Sequence, residues 1–175
     1  MIRRRSFVLA ASLGAVTAAA AEKAAVIGQV QRSTQGSNRQ DEKMNEGWYG
    51  DEYLAIFSEA ESRVASRKYD LARRLPGYAL IGLRFWDDFI VVNPAGVSLS
   101  LPTLPLDASR AEKFALPDAS FSLRPDPRFT GKVRSYVKPL VFGGEPTPEN
   151  TRWVTYEQHP QLVCWWNDKY DSRKV

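Results

Sequence analysis

Residues 78–101 read YALIGLRFWDDFIVVNPAGVSLSL, and three apolar runs within them, 78–83, 89–92 and 97–101, decide the fold class. Each run is short, rich in aliphatic and β-branched side chains, and bounded by turn-forming residues, the pattern of a strand rather than a helix. Asn93-Pro94-Ala95-Gly96 separates the second run from the third. Proline presets φ for a turn and glycine tolerates positive φ, so the chain reverses there with little strain. In the third run Val97, Leu99 and Leu101 alternate with Ser98 and Ser100, the mark of a sheet with one buried and one solvated face. The stretch is therefore expected to form an antiparallel β-meander.

Upstream of Leu75-Pro76-Gly77, residues 51–69 admit two readings. Tyr53, Phe57, Ala60 and Val64 share one face of a helix over 51–69. Alternatively, Ser58 and Glu61 form a capping box, in which the serine oxygen and the glutamate carboxylate satisfy backbone donors at a helix start. Residues 53–57 are then extended and the helix runs from 59 to about 69; the capping box favours this second reading. Downstream, Pro102, Pro105, Pro117, Pro125 and Pro127 predict a loop-rich middle with at most a short helix around 108–114. Further strands are expected at 133–137, 140–142 and 152–155. The last element reads as an amphipathic helix whose apolar face is Leu162, Val163, Trp166 and Tyr170. Pro160 belongs in its first turn, since deeper inside it would cost about 3 kcal/mol. The expected fold is α+β, an antiparallel sheet with flanking helices and a C-terminal amphipathic helix, in a single domain over 47–175.

The N-terminus reads as an address. Arg3-Arg4-Arg5, the apolar run 7–16 and Ala19-Ala20-Ala21 give the charged, apolar and small-residue parts of an export signal over 1–21, with cleavage expected before Glu22. Arg4-Arg5-Ser6-Phe7-Val8 resembles a twin-arginine translocation signal; an ordinary Sec signal is the alternative route. The run is too short and too rich in alanine to span a bilayer core, which takes about 20 apolar residues. No membrane anchor is expected once the signal is removed, and the expected location is the periplasm. Residues 22–46 are polar and aperiodic and read as a flexible leader, because such a run cannot bury enough surface to offset its ordering entropy.

Removing the signal also changes the electrostatics. The chain has 24 Lys and Arg against 20 Asp and Glu; without the three arginines the count is 21 against 20. A nearly neutral chain argues against nucleic acid as a partner, since such binders carry a basic patch or stripe. Cys164 is the only cysteine, so no intramolecular disulfide forms even in an oxidising compartment. His159 is the only histidine, which leaves the usual zinc ligand sets incomplete. His159 and Cys164 fall about 140° apart around a helix and do not meet as a nucleophilic pair. His159 is expected to serve the helix start, and Cys164 to be a small buried side chain. No metal, no cofactor and no catalytic constellation are expected.

Two surface groups stand out. Asp87 and Asp88, between Trp86 and Phe89, are the best carboxylate pair, but neighbours on a strand point to opposite faces. They act together only if they sit in a turn, where they present acid beside the Trp86 ring. Lys132, Arg134, Tyr136 and Lys138 would share one face of a strand, a basic surface able to meet an acidic partner or simply to discourage edge-to-edge pairing. Gly143-Gly144-Glu145-Pro146 lacks the spacing and lysine of a phosphate-cradling loop and reads as a turn.

The stretch 48–106, about a third of the chain, resembles the later part of SUKH-superfamily proteins, many of which are immunity proteins that neutralise bacterial toxins. The residues behind the resemblance are Tyr53, Phe57, Glu61, Tyr69, Leu75-Pro76-Gly77-Tyr78, Ile81-Gly82, Asp87-Asp88-Phe89 and Gly96. The resemblance implies a non-enzymatic α+β domain that binds a protein partner, a toxin, and brings no catalytic residues with it. The competing expectation is a small periplasmic hydrolase using carboxylates such as Asp87, Asp88, Glu145 or Glu157, since two carboxylates suffice for glycoside chemistry.

Overall fold

Ser58 marks the point where the chain changes from strand to helix, and the capping box read from the sequence is present. The Glu61 amide donates to Ser58 Oγ, and the Ser58 amide donates to the Glu61 carboxylate at 2.7 Å. Residues before it are accordingly extended, and helix α1 (Glu59–Lys68) follows, so the split reading holds. The computed structural model describes residues 45–84, 87–117 and 122–173. The export signal, the leader up to residue 44, and Trp86 lie outside the described residues.

Six strands form one antiparallel sheet in chain order: β1 (Asn45–Tyr49), β2 (Glu52–Ile56), β3 (Ala79–Arg84), β4 (Asp88–Val92), β5 (Ser98–Pro102) and the short β6 (Glu112–Lys113). The meander expected over 78–101 supplies its centre. Its β4–β5 turn works as the sequence implies: Asn93 Oδ1 accepts from the amides of Ala95 and Val97, and Gly96 takes φ 82°. The first strand begins at Asn45, two residues ahead of the expected domain start, and Glu46 within it is buried.

The expectation of one solvated sheet face fails. Phe89, Ile90, Val91 and Val92 are all fully buried although they alternate between faces. Phe89 and Val91 join a larger core with Tyr53, Tyr69, Leu71 and Val163; Ile90 and Val92 join a second cluster with Leu54, Ile56 and Leu123. Phe114 and Leu116 pack on that second cluster, so the proline-punctuated middle of the chain is the layer that covers it. A bulge between Leu80 and Gly82 breaks the alternation in β3, placing both Leu80 and Leu83 on the larger core.

A separate two-stranded antiparallel sheet, β7 (Lys132–Tyr136) with β8 (Thr151–Thr155), lies on the larger core through Val133 and Val154. The strand expected at 140–142 is instead a 3₁₀ turn, Leu140–Phe142, closed by Gly143 at φ 79°. The short helix expected at 108–114 reduces to a 3₁₀ turn, Ala108–Arg110, followed by β6. After α1 comes the single turn α2 (Leu71–Arg74), and the chain closes with α3 (Gln158–Asp171), with Pro160 in its first turn.

The buried stripe of α3 is His159, Pro160, Val163 and Asn167, rotated from the expected Leu162, Val163, Trp166 and Tyr170. The reason is Asn167. Its Oδ1 accepts from the Leu106 amide at 2.7 Å, and its Nδ2 donates to the carbonyls of Thr103 and Val163 at 2.9 and 2.8 Å. A polar side chain that satisfies buried backbone groups turns the helix toward itself. The whole is a single α+β domain.

Candidate functional site

The alternation of β7 and β8 builds the site. Val133 and Val154 face the core and oppose each other, so Arg134 opposes Trp153 and Tyr136 opposes Thr151 on the outward face. Lys132 opens that face. Arg134 and Tyr136 are half-buried and Trp153 is 43% exposed, with Phe129 stacked behind it at 5.2 Å between ring centroids. The Arg134 guanidinium lies 5.9 Å from the Tyr136 ring centroid, within reach of a cation–π contact.

Asp87, at the turn into β4, comes to the end of this face. Arg134 Nη2 donates to Asp87 Oδ2 at 3.1 Å, so two groups far apart in sequence form one half-buried ion pair. Burial pushes the Asp87 carboxyl up, Arg134 pulls it down, and the Asp88 charge adds a further push upward; the upward shift prevails. Desolvation thus outweighs the attraction of the arginine beside it.

The remaining site residues separate. Asp88 begins β4 and accepts from Ser100 Oγ at 3.3 Å, with Arg84 and Glu112 as its charged neighbours. Burial raises its carboxyl too. In the alternation of β4, Asp88 belongs with Ile90 and Asp87 with Phe89, so the two carboxylates serve opposite faces of the sheet. Lys138 lies beyond the end of β7, where its backbone is clamped by Asn150: the Lys138 amide donates to Oδ1 and its carbonyl accepts from Nδ2, both at 2.8 Å. The four-residue basic face expected on one strand is therefore three residues and a departing lysine.

Beside the ion pair lies a cleft of about 50 Å³ whose lining includes Asp87, Ser135, Tyr136, His159 and Trp166. Aspartate, serine and histidine gather here but are not wired as a relay. Asp87 is bonded to Arg134, while His159 Nδ1 and Tyr69 Oη share a hydrogen bond of 2.7 Å. His159 is buried at the start of α3, and burial brings its pKa down to about 4. Cys164 is half-buried rather than buried, its Sγ donating to the Lys68 carbonyl at 3.5 Å, and burial pushes its thiol up. Glu157 is held by Lys68 at 2.7 Å.

A larger hollow of about 480 Å³ opens between Trp48 and the segment 124–128. Asp126 organises it, accepting from Trp48 Nε1 at 3.1 Å and from Arg128 Nη2 at 2.7 Å, and these bonds hold its carboxyl well below the usual carboxylate range. Among the described residues, no group of His, Cys, Asp and Glu is placed to hold a metal ion, and no helix is long and apolar enough to cross a membrane.

Trp153 is the site residue that sequence reasoning missed. The signal was partial: Val133 is flanked by Lys132 and Arg134, and Val154 by Trp153 and Thr155, and setting both valines inward turns Arg134 and Trp153 outward together. No family model matches the chain, and neither a curated protein nor a solved structure matches it.

Proposed function

We propose that the chain is an exported, non-enzymatic binding protein that captures a protein partner on the outward face of β7 and β8, in the manner of an immunity protein neutralising a secreted toxin. The observation that carries the proposal is the grouping of Trp153, Arg134 and Tyr136 on one half-exposed face with Asp87 at its end. Tryptophan, tyrosine and arginine are the residues in which binding energy concentrates at protein interfaces. Lys132 at the rim adds a cation that favours an acidic partner and its approach. The resemblance of 48–106 to the SUKH superfamily supports the immunity reading, and the N-terminal layout supports periplasmic export.

The hydrolase reading needs two carboxylates on one bond. Asp87 bonds Arg134 and Asp88 bonds Ser100, which favours the binding reading over a shared carboxylate site.

Co-purification from cells that carry the neighbouring genes tests the proposal. The intact protein should retain a secreted toxin, and Trp153→Ala or Arg134→Ala should each lower capture by about thirtyfold, equivalent to about 2 kcal/mol. Unchanged capture in both variants, or hydrolytic turnover that dies with Asp87 and ignores Trp153, overturns it.

A further inference from the structure

Of the eight large apolar side chains exposed among the described residues, four fall on two segments that aromatic contacts join: Val137 (50% exposed), Leu140 (46%), Val141 (39%) and Trp165 (50%). The first three sit on the chain reversal that follows β7, and Trp165 lies on α3. Phe142 joins the two, its ring 4.9 Å from Trp166, which in turn meets Trp165 at 4.5 Å. The reversal is held rigid from behind. The amides of Phe142 and Gly144 both donate to the Pro139 carbonyl, and Asn150 Nδ2 bonds the carbonyls of Lys138 and Glu145. Only glycine fits at 144, because a Cβ there would stand 1.8 Å from the Lys138 carbonyl oxygen.

Cations surround this apolar tip. The Lys138 ammonium lies beside the turn, 3.6 Å from where a Cβ on Gly143 would be. The Lys169 ammonium sits 4.6 Å from the Trp165 ring centroid, and the Arg173 guanidinium 4.4 Å from that of Phe142. Among the described residues none of these three has an ion-pair partner. The acidic residues of the same helix are directed elsewhere: Asp168 pairs with Arg73 and Arg74, and Asp171 with Arg74. Glu145 is the one acidic side chain in the stretch 137–147.

We infer that this tip docks on the surface of an anionic lipid bilayer, with Leu140, Val141 and Trp165 entering the headgroup region and Lys138, Lys169 and Arg173 meeting the lipid phosphates. Charge complementarity selects that occupant. The core of a protein interface is depleted in lysine, whereas here two lysines border the apolar residues directly. Tryptophan concentrates at the membrane–water boundary, where its ring is half in hydrocarbon and half in water. An apolar face with a lysine and arginine rim is the arrangement that adds apolar burial to attraction for anionic lipid. The tip begins one residue after Tyr136, but none of the residues assigned to the bilayer is one that builds the Trp153 face.

Co-sedimentation with vesicles tests the inference, using vesicles of phosphatidylcholine alone and of phosphatidylcholine mixed equally with phosphatidylglycerol. The full chain serves throughout, so the apolar N-terminal run is common to every sample and the comparison between variants carries the result. Binding should favour the phosphatidylglycerol vesicles, and Lys138→Ala and Lys169→Ala should each weaken it about fivefold. Leu140→Asp combined with Val141→Asp should remove the tip-dependent binding while leaving the unfolding midpoint unchanged. Equal binding to both vesicle types, or binding that survives in both the lysine and the aspartate variants, overturns the inference. So does concentration-dependent dimerisation that the aspartate variant abolishes in the absence of lipid, which would assign the tip to a second copy of the chain. Capture of a protein partner by the Trp153 face has no bearing on any of these outcomes.

Discussion

Lowering the pH from 7 to 4.5 should destabilise the protein through His159, by an amount the structure allows to be worked out. The imidazole is 3% exposed and hydrogen-bonded to the buried Tyr69 hydroxyl, and burial takes its pKa from 6.5 to about 4. In the native state it is neutral over most of this range, whereas in the unfolded chain it takes up a proton near 6.5. The unfolded state therefore binds more protons as the pH falls, and stability present in full above 6.5 is lost on the way down to about 4. The full shift corresponds to about 3 kcal/mol, and by pH 4.5 about 2.5 kcal/mol of it is gone. Other groups pull differently. Asp87 and Asp88 have carboxyls raised by burial, so acid favours the native state through them. Asp126 and Asp168 are lowered by their arginine partners, and what they contribute is lost only at more acid pH. A variant isolates the histidine: His159→Gln cannot titrate, so its stability curve should fall less steeply than that of the parent. Urea unfolding at pH 7 and pH 4.5 on both proteins measures the difference. Parallel curves, or an imidazole proton resonance that titrates near 6.5 in the native state, would refute the reasoning.

Two further outcomes rest on contacts in the structure and a third on the N-terminal sequence. Asn167→Leu leaves the Leu106 amide and the Thr103 carbonyl without their partner, and should cost about 2 to 5 kcal/mol by thermal or chemical denaturation. Ser58→Ala removes the cap of α1 and should cost about 1 kcal/mol in the same assay, with the fold retained. Replacing Arg4 and Arg5 by lysine should stop accumulation in the periplasm if the twin-arginine route is used, and fractionation that shows unchanged accumulation would assign the chain to Sec.

What the sequence made legible was local. The capping box at Ser58 and Glu61, the turn at Asn93 to Gly96 and the position of Pro160 each depend on residues within one turn of one another, and all three are found as expected. What depended on distant partners was not legible. Leu140-Val141-Phe142 has the composition of a strand, but a strand needs a neighbour to bond with, and the Pro139 carbonyl takes the Phe142 and Gly144 amides first. The polar alternation of Val97 to Leu101 implied a solvated face, yet Ser100 is 4% exposed, because residues more than ten positions later cover it. Asn167 interrupts the apolar spacing of α3 and so reads as a surface position, and only the distant segment 103–106 that it bonds reveals it as core.

The ion pair between Asp87 and Arg134 shows how the same limit applies to the candidate site. Each partner was singled out on its own, one as an acidic turn and one as part of a basic strand, and their separation by 47 residues hid that they meet. Once together they do not simply cancel. Asp87 remains raised with a guanidinium 3.1 Å away, so taking its charge out of water costs more than the pairing returns. A pair of that kind adds little to folding. Its place, at the end of a face bearing Trp153 and Tyr136, is where a partner's own charge would find both a donor and an acceptor already oriented. On that account Asp87→Asn should cost the fold little and should weaken capture of an acidic partner less than Arg134→Ala does, because the arginine is the group that such a partner meets.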